Sequence, residues 1–145
     1  MNDFSKFLAL DLGEKRIGVA LSDGLKMIAQ AHEVFARTSR KADFAHVETI
    51  VKANDVSRIV VGLPISLDGT EGPMAKWARD YGGALGEALS LPVAFWDESF
   101  TSEMAAESMA SQGYSRKKMK GKLDAVAAAL ILQSYLDSDV WRTDL

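Results

Sequence analysis

Arg58-Ile59-Val60-Val61-Gly62-Leu63 carries a continuous run of apolar residues, the pattern of a strand covered on both faces. Such a strand belongs in a sheet lying between helical layers, and helical patterns stand on either side of it. From Ser39 to Asn54, the positions Phe44, Val47, Ile50 and Val51 are spaced for one helix face. Downstream, after a turn-rich loop from Pro64 to Gly72, Pro73 suits the first position of a helix running to about Leu89. Pro92-Val93-Ala94-Phe95-Trp96 then reads as a further strand ending at Asp97-Glu98. Strand, helix, strand predicts two parallel strands joined by a right-handed crossover.

Toward the N-terminus the pattern is a meander. Phe7-Leu8-Ala9-Leu10 reads as a buried strand ending at Asp11, followed by the turn Asp11-Leu12-Gly13-Glu14-Lys15, where Gly13 can take a positive φ. Arg16 to Asp23 reads as a second strand, Asp23-Gly24 as a hairpin signal, and Ile28 to Arg37 as a third strand. Toward the C-terminus, Thr101 or Ser102 can cap a helix with Glu103 in its first turn, ending near Gly113. The basic segment Arg116 to Lys122 is expected to lead into a last helix from about Leu123 to Leu136, and the short tail to fray. The expectation is a single α/β domain over residues 1–145, a five-stranded mixed sheet flanked by helices.

Composition narrows the function classes. Among 145 residues, 48% are hydrophobic and 26% charged, enough apolar material for a real core. No apolar run approaches the roughly 20 residues that span a bilayer, and the first residues do not read as a secretory signal. The chain has no cysteine, which excludes disulfides and thiolate metal sites and suits the cytoplasm. With two histidines, a zinc site would need carboxylates for most of its ligands. Seventeen Lys and Arg against twenty Asp and Glu give a net charge of −3, not the basic balance of a typical nucleic-acid binder. Charge placement therefore matters more than its sum.

Asp11 and Glu98 each follow an apolar strand, and Asp124 stands near the start of a helix otherwise built from Ala, Val, Leu and Ile. If the strands ending at 11, 63 and 97 are parallel neighbours, their C-terminal ends share the edge where open α/β sheets bind ligands. Three carboxylates converging there raise one another's pKa unless a cation compensates. Oxygen-only ligands select hard divalent ions such as Mg²⁺ or Mn²⁺. Two such ions about 4 Å apart can drive phosphodiester hydrolysis. Each acid also has a structural reading, Asp11 as a turn former, Glu98 and Asp124 as first-turn acids of helices.

The bases have a matching placement. Arg116, Lys117, Lys118, Lys120 and Lys122 lie just before Asp124, and Lys15 and Arg16 just after Asp11; beside a carboxylate cluster they suit contacts to a phosphate backbone. The loop 64–72 adds Ser66 and Thr70, whose hydroxyls and neighbouring amides suit phosphate. Solvated loops are the plain alternative for both segments. His32 and His46 read as ordinary strand and helix residues rather than ligands, Trp77 and Trp96 as packing residues, and Trp141 as an anchor for the tail at most.

Four segments carry a family resemblance. Leu10-Asp11-Leu12-Gly13-Glu14-Lys15-Arg16-Ile17-Gly18-Val19-Ala20-Leu21-Ser22-Asp23 resembles the opening motif of the bacterial YqgF/RuvX family. Val60-Val61-Gly62-Leu63-Pro64 with Asp68-Gly69-Thr70-Glu71-Gly72, Trp96-Asp97-Glu98-Ser99-Phe100-Thr101-Ser102, and Asp124 to Leu136 are similar to its later motifs, in order. The resemblance implies a ribonuclease H-like fold with sheet order 3-2-1-4-5 and kinship with Holliday junction resolvases. It also implies a nuclease maturing the 5′ end of pre-16S ribosomal RNA, with its acidic positions at Asp11, Glu98 and Asp124. Two departures stand out: Ser99 where many members have Arg, which removes a phosphate contact, and Ser66 where many have Asn.

The resulting expectation is a Mg²⁺- or Mn²⁺-dependent endonuclease, a hydrolase acting on structured nucleic acid, either precursor ribosomal RNA or branched DNA. Symmetric cutting of a junction would call for a C2 homodimer. The rival of another class is a non-catalytic nucleic-acid-binding domain that keeps the fold without turnover. A phosphotransferase of the actin or sugar-kinase type, suggested by Asp11-Leu12-Gly13 with Gly18, would need a second lobe and a second such motif, and neither is visible in these residues.

Overall fold

The structure, a computed structural model, describes residues 4–98, 104, 107, 110, 111, 113 and 116–143, the last stretch with side chains from Gly121 onward. Its elements are β1 (Lys6–Leu12), β2 (Arg16–Ser22), β3 (Ala29–Ala36), α1 (Arg40–Asn54), β4 (Val56–Leu63), α2 (Pro73–Leu89), β5 (Val93–Asp97), α3 (Arg116–Asp137) and α4 (Val140–Thr143). One sheet takes the order β3-β2-β1-β4-β5. The first three strands form the antiparallel meander, and β4 and β5 run parallel to β1. Among the described residues, no helix is long and apolar enough to cross a membrane.

The alternation of each strand divides the molecule into two unequal cores. On one face Leu8, Leu10, Leu12, Ile17, Val19, Leu21, Ile59, Val61 and Leu63 meet α1 and α2 through Val47, Ile50, Ala78, Tyr81 and Leu85. The buried Asp43 of α1 is satisfied there by the Thr38 amide at 3.0 Å and the Tyr81 hydroxyl at 2.9 Å. On the other face the sheet offers smaller residues, Ala9, Ala20, Val60 and Ala94, to Ala128, Ile131, Leu132 and Tyr135 of α3. Large side chains set the helices back on the first face; small ones let α3 lie close on the second. β4 is covered on both sides, as its apolar run requires.

Several local expectations are corrected. Gly13 does not have a positive φ; it is tight for a different reason, since a Cβ there would stand 2.7 Å from the Arg16 carbonyl oxygen. Asp23-Gly24 does not make a two-residue hairpin: the connection runs to Ile28, with Lys26 left-handed at φ 58° and the Asp23 carboxylate accepting from the Met27 and Ile28 amides. The basic segment is not a loop before the last helix, because α3 already begins at Arg116; Arg, Lys and Met are strong helix formers, and the single Gly121 does not break the run. The helix expected between Thr101 or Ser102 and Gly113 falls mostly outside the described residues, although Met104, Glu107, Ala110 and Ser111 are helical and Gly113 has φ 82°.

The tail is also not frayed as far as Thr143. Trp141 is buried, packs edge-on against Phe7 at 5.6 Å between ring centroids, and donates its indole N–H to the Leu136 carbonyl at 3.0 Å. Aromatic burial of this kind outweighs the entropy of holding one short helical turn. Replacing Trp141 with Ala is therefore expected to lower unfolding free energy by about 3 kcal/mol, measured by urea denaturation; an unchanged midpoint would restore the frayed tail.

Candidate active site

The alternation that sorts the core also aims the acids. Asp11 continues the Phe7, Ala9 set of β1 and so faces α3, at the end where β1, β4 and β5 all have their C-termini. Glu98 continues the Ala94, Trp96 set one step beyond β5, where its amide donates to the Leu63 carbonyl at 3.0 Å. Asp124 lies one turn ahead of Ala128 on the sheet-facing stripe of α3. All three acids are thus directed to one face of one sheet edge, and each is half-buried.

Two glycines make this convergence possible. Gly18, the register partner of Asp11, lies beneath α3, and a Cβ there would collide with the Asp124 carbonyl and stand 2.8 Å from the Ala125 nitrogen. Gly62, opposite Trp96, leaves room for Glu98: a Cβ there would stand 2.8 Å from Oε2 of Glu98 and 2.6 Å from Cδ1 of Ile131. Sequence reasoning placed both in family motifs but assigned them no steric task. The available signal was that they share the small-residue face of their strands with Ala20 and Val60.

The electrostatics follow from the crowding. Glu98 is pushed up to about 8 by burial, by the Asp11 charge, by a hydrogen bond to Asp11 and by Asp97. Asp11 is raised as well, by burial first and by the Asp124 charge, while the proton it receives from Glu98 works the other way. The neutral Glu98 carboxyl therefore donates to the Asp11 carboxylate. Asp124 is neutralised instead by Arg16, whose Nε stands 3.3 Å from Oδ2. Among the described residues, no three His, Cys, Asp or Glu side chains are grouped so as to hold a metal ion as they stand: Asp11 and Glu98 pair with each other, and Asp124 is engaged by Arg16. The arrangement is a carboxyl pair with a third acid beside it.

The other expected contact residues are distributed unevenly. Lys15 and Arg16 are exposed at the rim, as placed by the β1–β2 turn. Ser66 is exposed on the loop after β4, which is not a loose segment: Ile65 bridges Glu71, and the Glu71 carboxylate holds Arg79 at 2.6 and 2.7 Å. Thr70 is committed within that turn, its hydroxyl donating to Asp68 at 2.6 Å, so its expected phosphate contact competes with an existing bond. Arg116, Lys117, Lys118 and Lys120 fall on the first turns of α3, with side chains outside the described residues; Lys122 is exposed. Ser99 lies outside them too. His46 is an exposed helix residue whose ring lies against Phe35 and whose Nε2 meets the Glu33 carboxylate at 2.8 Å; Trp77 packs against Tyr81 as expected, and Trp96 packs on Tyr135 while donating to Ser134 at 3.0 Å.

Comparisons with known proteins agree with this architecture. The profile of the RuvX family, described as Holliday junction resolvase, matches residues 5–138. A Syntrophomonas wolfei protein named "Putative pre-16S rRNA nuclease" is 42% identical over 132 residues, covering 91% of this chain and 94% of its own length. A Syntrophus aciditrophicus protein of the same name is 44% identical over 133 residues, covering 92% and 89%. Among solved structures, Thermus thermophilus RuvC in complex with a Holliday junction substrate superposes with a TM-score of 0.58 at 13% identity, over 92% of this chain and 94% of that one. The Fowlpox virus resolvase bound to Holliday junction DNA gives 0.56 at 12% identity, over 93% and 99%. The fold is that of RuvC-like resolvases, ribonuclease H-like as expected.

Two outcomes follow from the geometry. Gly18→Ala would have to lift α3 off the sheet, and should lower stability by at least about 2 kcal/mol in denaturant titration; a fully stable variant would contradict the close backbone approach. In metal-free protein, folding keeps a proton on Glu98 between its ordinary value of 4.5 and about 8. That stabilising contribution is complete below 4.5 and disappears as pH rises through about 8. Thermal melts across this window should show stability falling with pH in the wild type and a flatter profile in Glu98→Gln.

Proposed function

The chain belongs to the RuvX family, and from that premise we propose that it is a divalent-metal-dependent endonuclease that cuts structured nucleic acid, its cytoplasmic substrate being the 5′ end of pre-16S ribosomal RNA. The observation that carries the reading is the contact between Asp11 and Glu98, with Asp124 alongside, at the C-terminal edge of three parallel strands.

The donor set fits a magnesium or manganese ion. It is all oxygen, and its carboxyls are too crowded for all of them to stay ionised without a cation; Asp124 would have to turn from Arg16 to join the other two, since the three do not form a ready-made ligand group among the described residues. Magnesium in particular takes one or two carboxylates and completes its shell with water and substrate phosphates. Asp11 and Asp124 would hold the ion, and Glu98 would hold a second or orient the attacking water. When bound, the metal supplies Lewis acidity for water activation and for the departing oxygen of the phosphodiester.

The chain's own residues account for the rest. Lys15 and Arg16 stand at the rim to take the phosphate backbone, and Arg116, Lys117, Lys118, Lys120 and Lys122 precede Asp124 along α3 as further candidates for it. The sheet floor, built from Ala9, Ala20 and Val60, excludes water beneath the carboxyls and keeps them from drifting apart. With no histidine at the site, proton traffic falls to Glu98, which already carries a proton near neutral pH.

A second substrate, the four-way DNA junction, is favoured by the family's description. It would require two active sites and hence a C2 dimer. Cleavage of a 5′-extended 16S precursor and of a synthetic junction, in parallel, separates the two. With Asp11→Asn, Glu98→Gln or Asp124→Asn, cleavage in Mg²⁺ or Mn²⁺ should fall at least about 100-fold while the thermal midpoint is retained or raised. Turnover persisting in all three variants would remove the catalytic assignment. Manganese uptake by calorimetry addresses the non-catalytic alternative, because a pure binder need not take metal at these acids.

A further inference from the structure

We propose that Arg16 is an exchangeable counter-ion: its guanidinium neutralises Asp124 until that carboxylate joins a divalent cation, and is then given over to a phosphate of the nucleic acid, so that the two ligands reinforce each other's binding. The inference rests on the metal-dependent reading above and adds a regulation of its site.

The pair arises from the same close approach that builds the site. Arg16 opens β2 two residues before Gly18, on the strand face that α3 covers, and Asp124 lies directly above Gly18. The contact joins residues 108 positions apart in the chain, through Nε alone, at 3.3 Å. Charge-assisted bonds of full strength are shorter and, for arginine, commonly bidentate. This molecule shows what such a bond looks like in Arg79 and Glu71, with two contacts at 2.6 and 2.7 Å. Among the described residues, the terminal amino groups of Arg16 make no hydrogen bond, and half of the side chain is open to solvent. Arg16 is thus a loosely held cation on the phosphate side of the site.

Coupling follows from counting the same bond once. A cation engaging Asp124 must break the pair, and so must a phosphate drawing Arg16 away. Either ligand alone bears that loss; when both are bound the loss is borne once, which is positive cooperativity, and reciprocity makes its factor equal for both ligands. An exposed ion pair limits the factor to about twofold to fivefold.

The test uses full-length protein, with Lys15→Gln as a control that removes a neighbouring charge but not the pair. Manganese titration calorimetry without nucleic acid should show Arg16→Gln binding the ion about twofold to fivefold more tightly than Lys15→Gln does. Fluorescence anisotropy with a labelled 5′-extended RNA hairpin and a labelled four-way junction, in calcium so that binding rather than turnover is read, should show wild-type affinity strengthened by the cation. That strengthening should shrink in Arg16→Gln by the same factor. Equal manganese affinities in the two variants, or an undiminished calcium effect, would overturn the exchange while leaving the metal site standing. Wild-type protein that takes up no manganese, or takes it up unchanged after Asp124→Asn, would overturn the metal-dependent reading itself and the exchange with it.

Discussion

The rest of the structure depends on how closely α3 can lie against the sheet. A helix packed through ordinary side chains would stand about 10 Å from the strands and leave Asp124 out of reach of β1. Here the Asp124 carbonyl rests on Gly18, with Ala9, Ala20 and Val60 beneath the following turns. The opposite face, filled with Leu, Ile and Val, could not accept a helix at that distance. The difference between the two faces is thus functional as well as architectural: one supplies most of the apolar burial, the other supplies proximity.

Proximity creates an electrostatic debt that the protein settles in two ways. Between Asp11 and Glu98 a shared proton removes one charge, and at Asp124 a guanidinium balances another. Neither device is a closed, permanent ligand set. A buried and fully satisfied carboxylate looks different in this same molecule: Asp43 receives the Thr38 amide and the Tyr81 hydroxyl deep between α1 and α2. Asp43 is a structural acid because each of its oxygens already accepts a hydrogen bond in a buried setting. Asp11 and Asp124 accept only from partners that can be exchanged, the Glu98 proton and an exposed guanidinium, which is what a site for an incoming cation requires.

Much of this was legible before the structure. The strands, the two helices flanking β4 and the positions of Asp11 and Glu98 at strand ends follow from apolar period and punctuation, since β4 reads as an unbroken apolar run and Pro73 marks a helix start, while the sheet order comes from the family resemblance. What escaped the sequence were effects that depend on partners distant in the chain. Gly18 and Gly62 look like ordinary strand glycines until α3 and Glu98 are brought over them. Arg116 to Lys122 reads as a solvated loop because its charge hides a strong helical propensity. Trp141 looks like a tail residue because its pocket is made by Phe7, at the other end of the chain.

The turn that carries Lys15 and Arg16 illustrates how such distant effects serve the site. A three-residue turn of Gly13, Glu14 and Lys15 would by itself be mobile, and a mobile arginine at its end would hold neither Asp124 nor a phosphate with useful geometry. Arg37, just after β3, removes that freedom: its Nη1 donates to the carbonyls of Gly13 and Glu14 at 2.9 Å, and its amide donates to that of Lys15. Its guanidinium lies over Trp77 at 4.2 Å, on the first turns of α2, tying the turn to the helix that follows the 64–72 loop. Among the described residues its Nε is buried without a hydrogen-bond partner, a cost the stacking on Trp77 helps to offset. A half-buried arginine that leaves one donor unsatisfied makes little sense as a contribution to stability alone. It makes sense as the brace that keeps the basic rim in register with the acids, so that Arg16 meets Asp124 from a fixed strand rather than from a wandering loop.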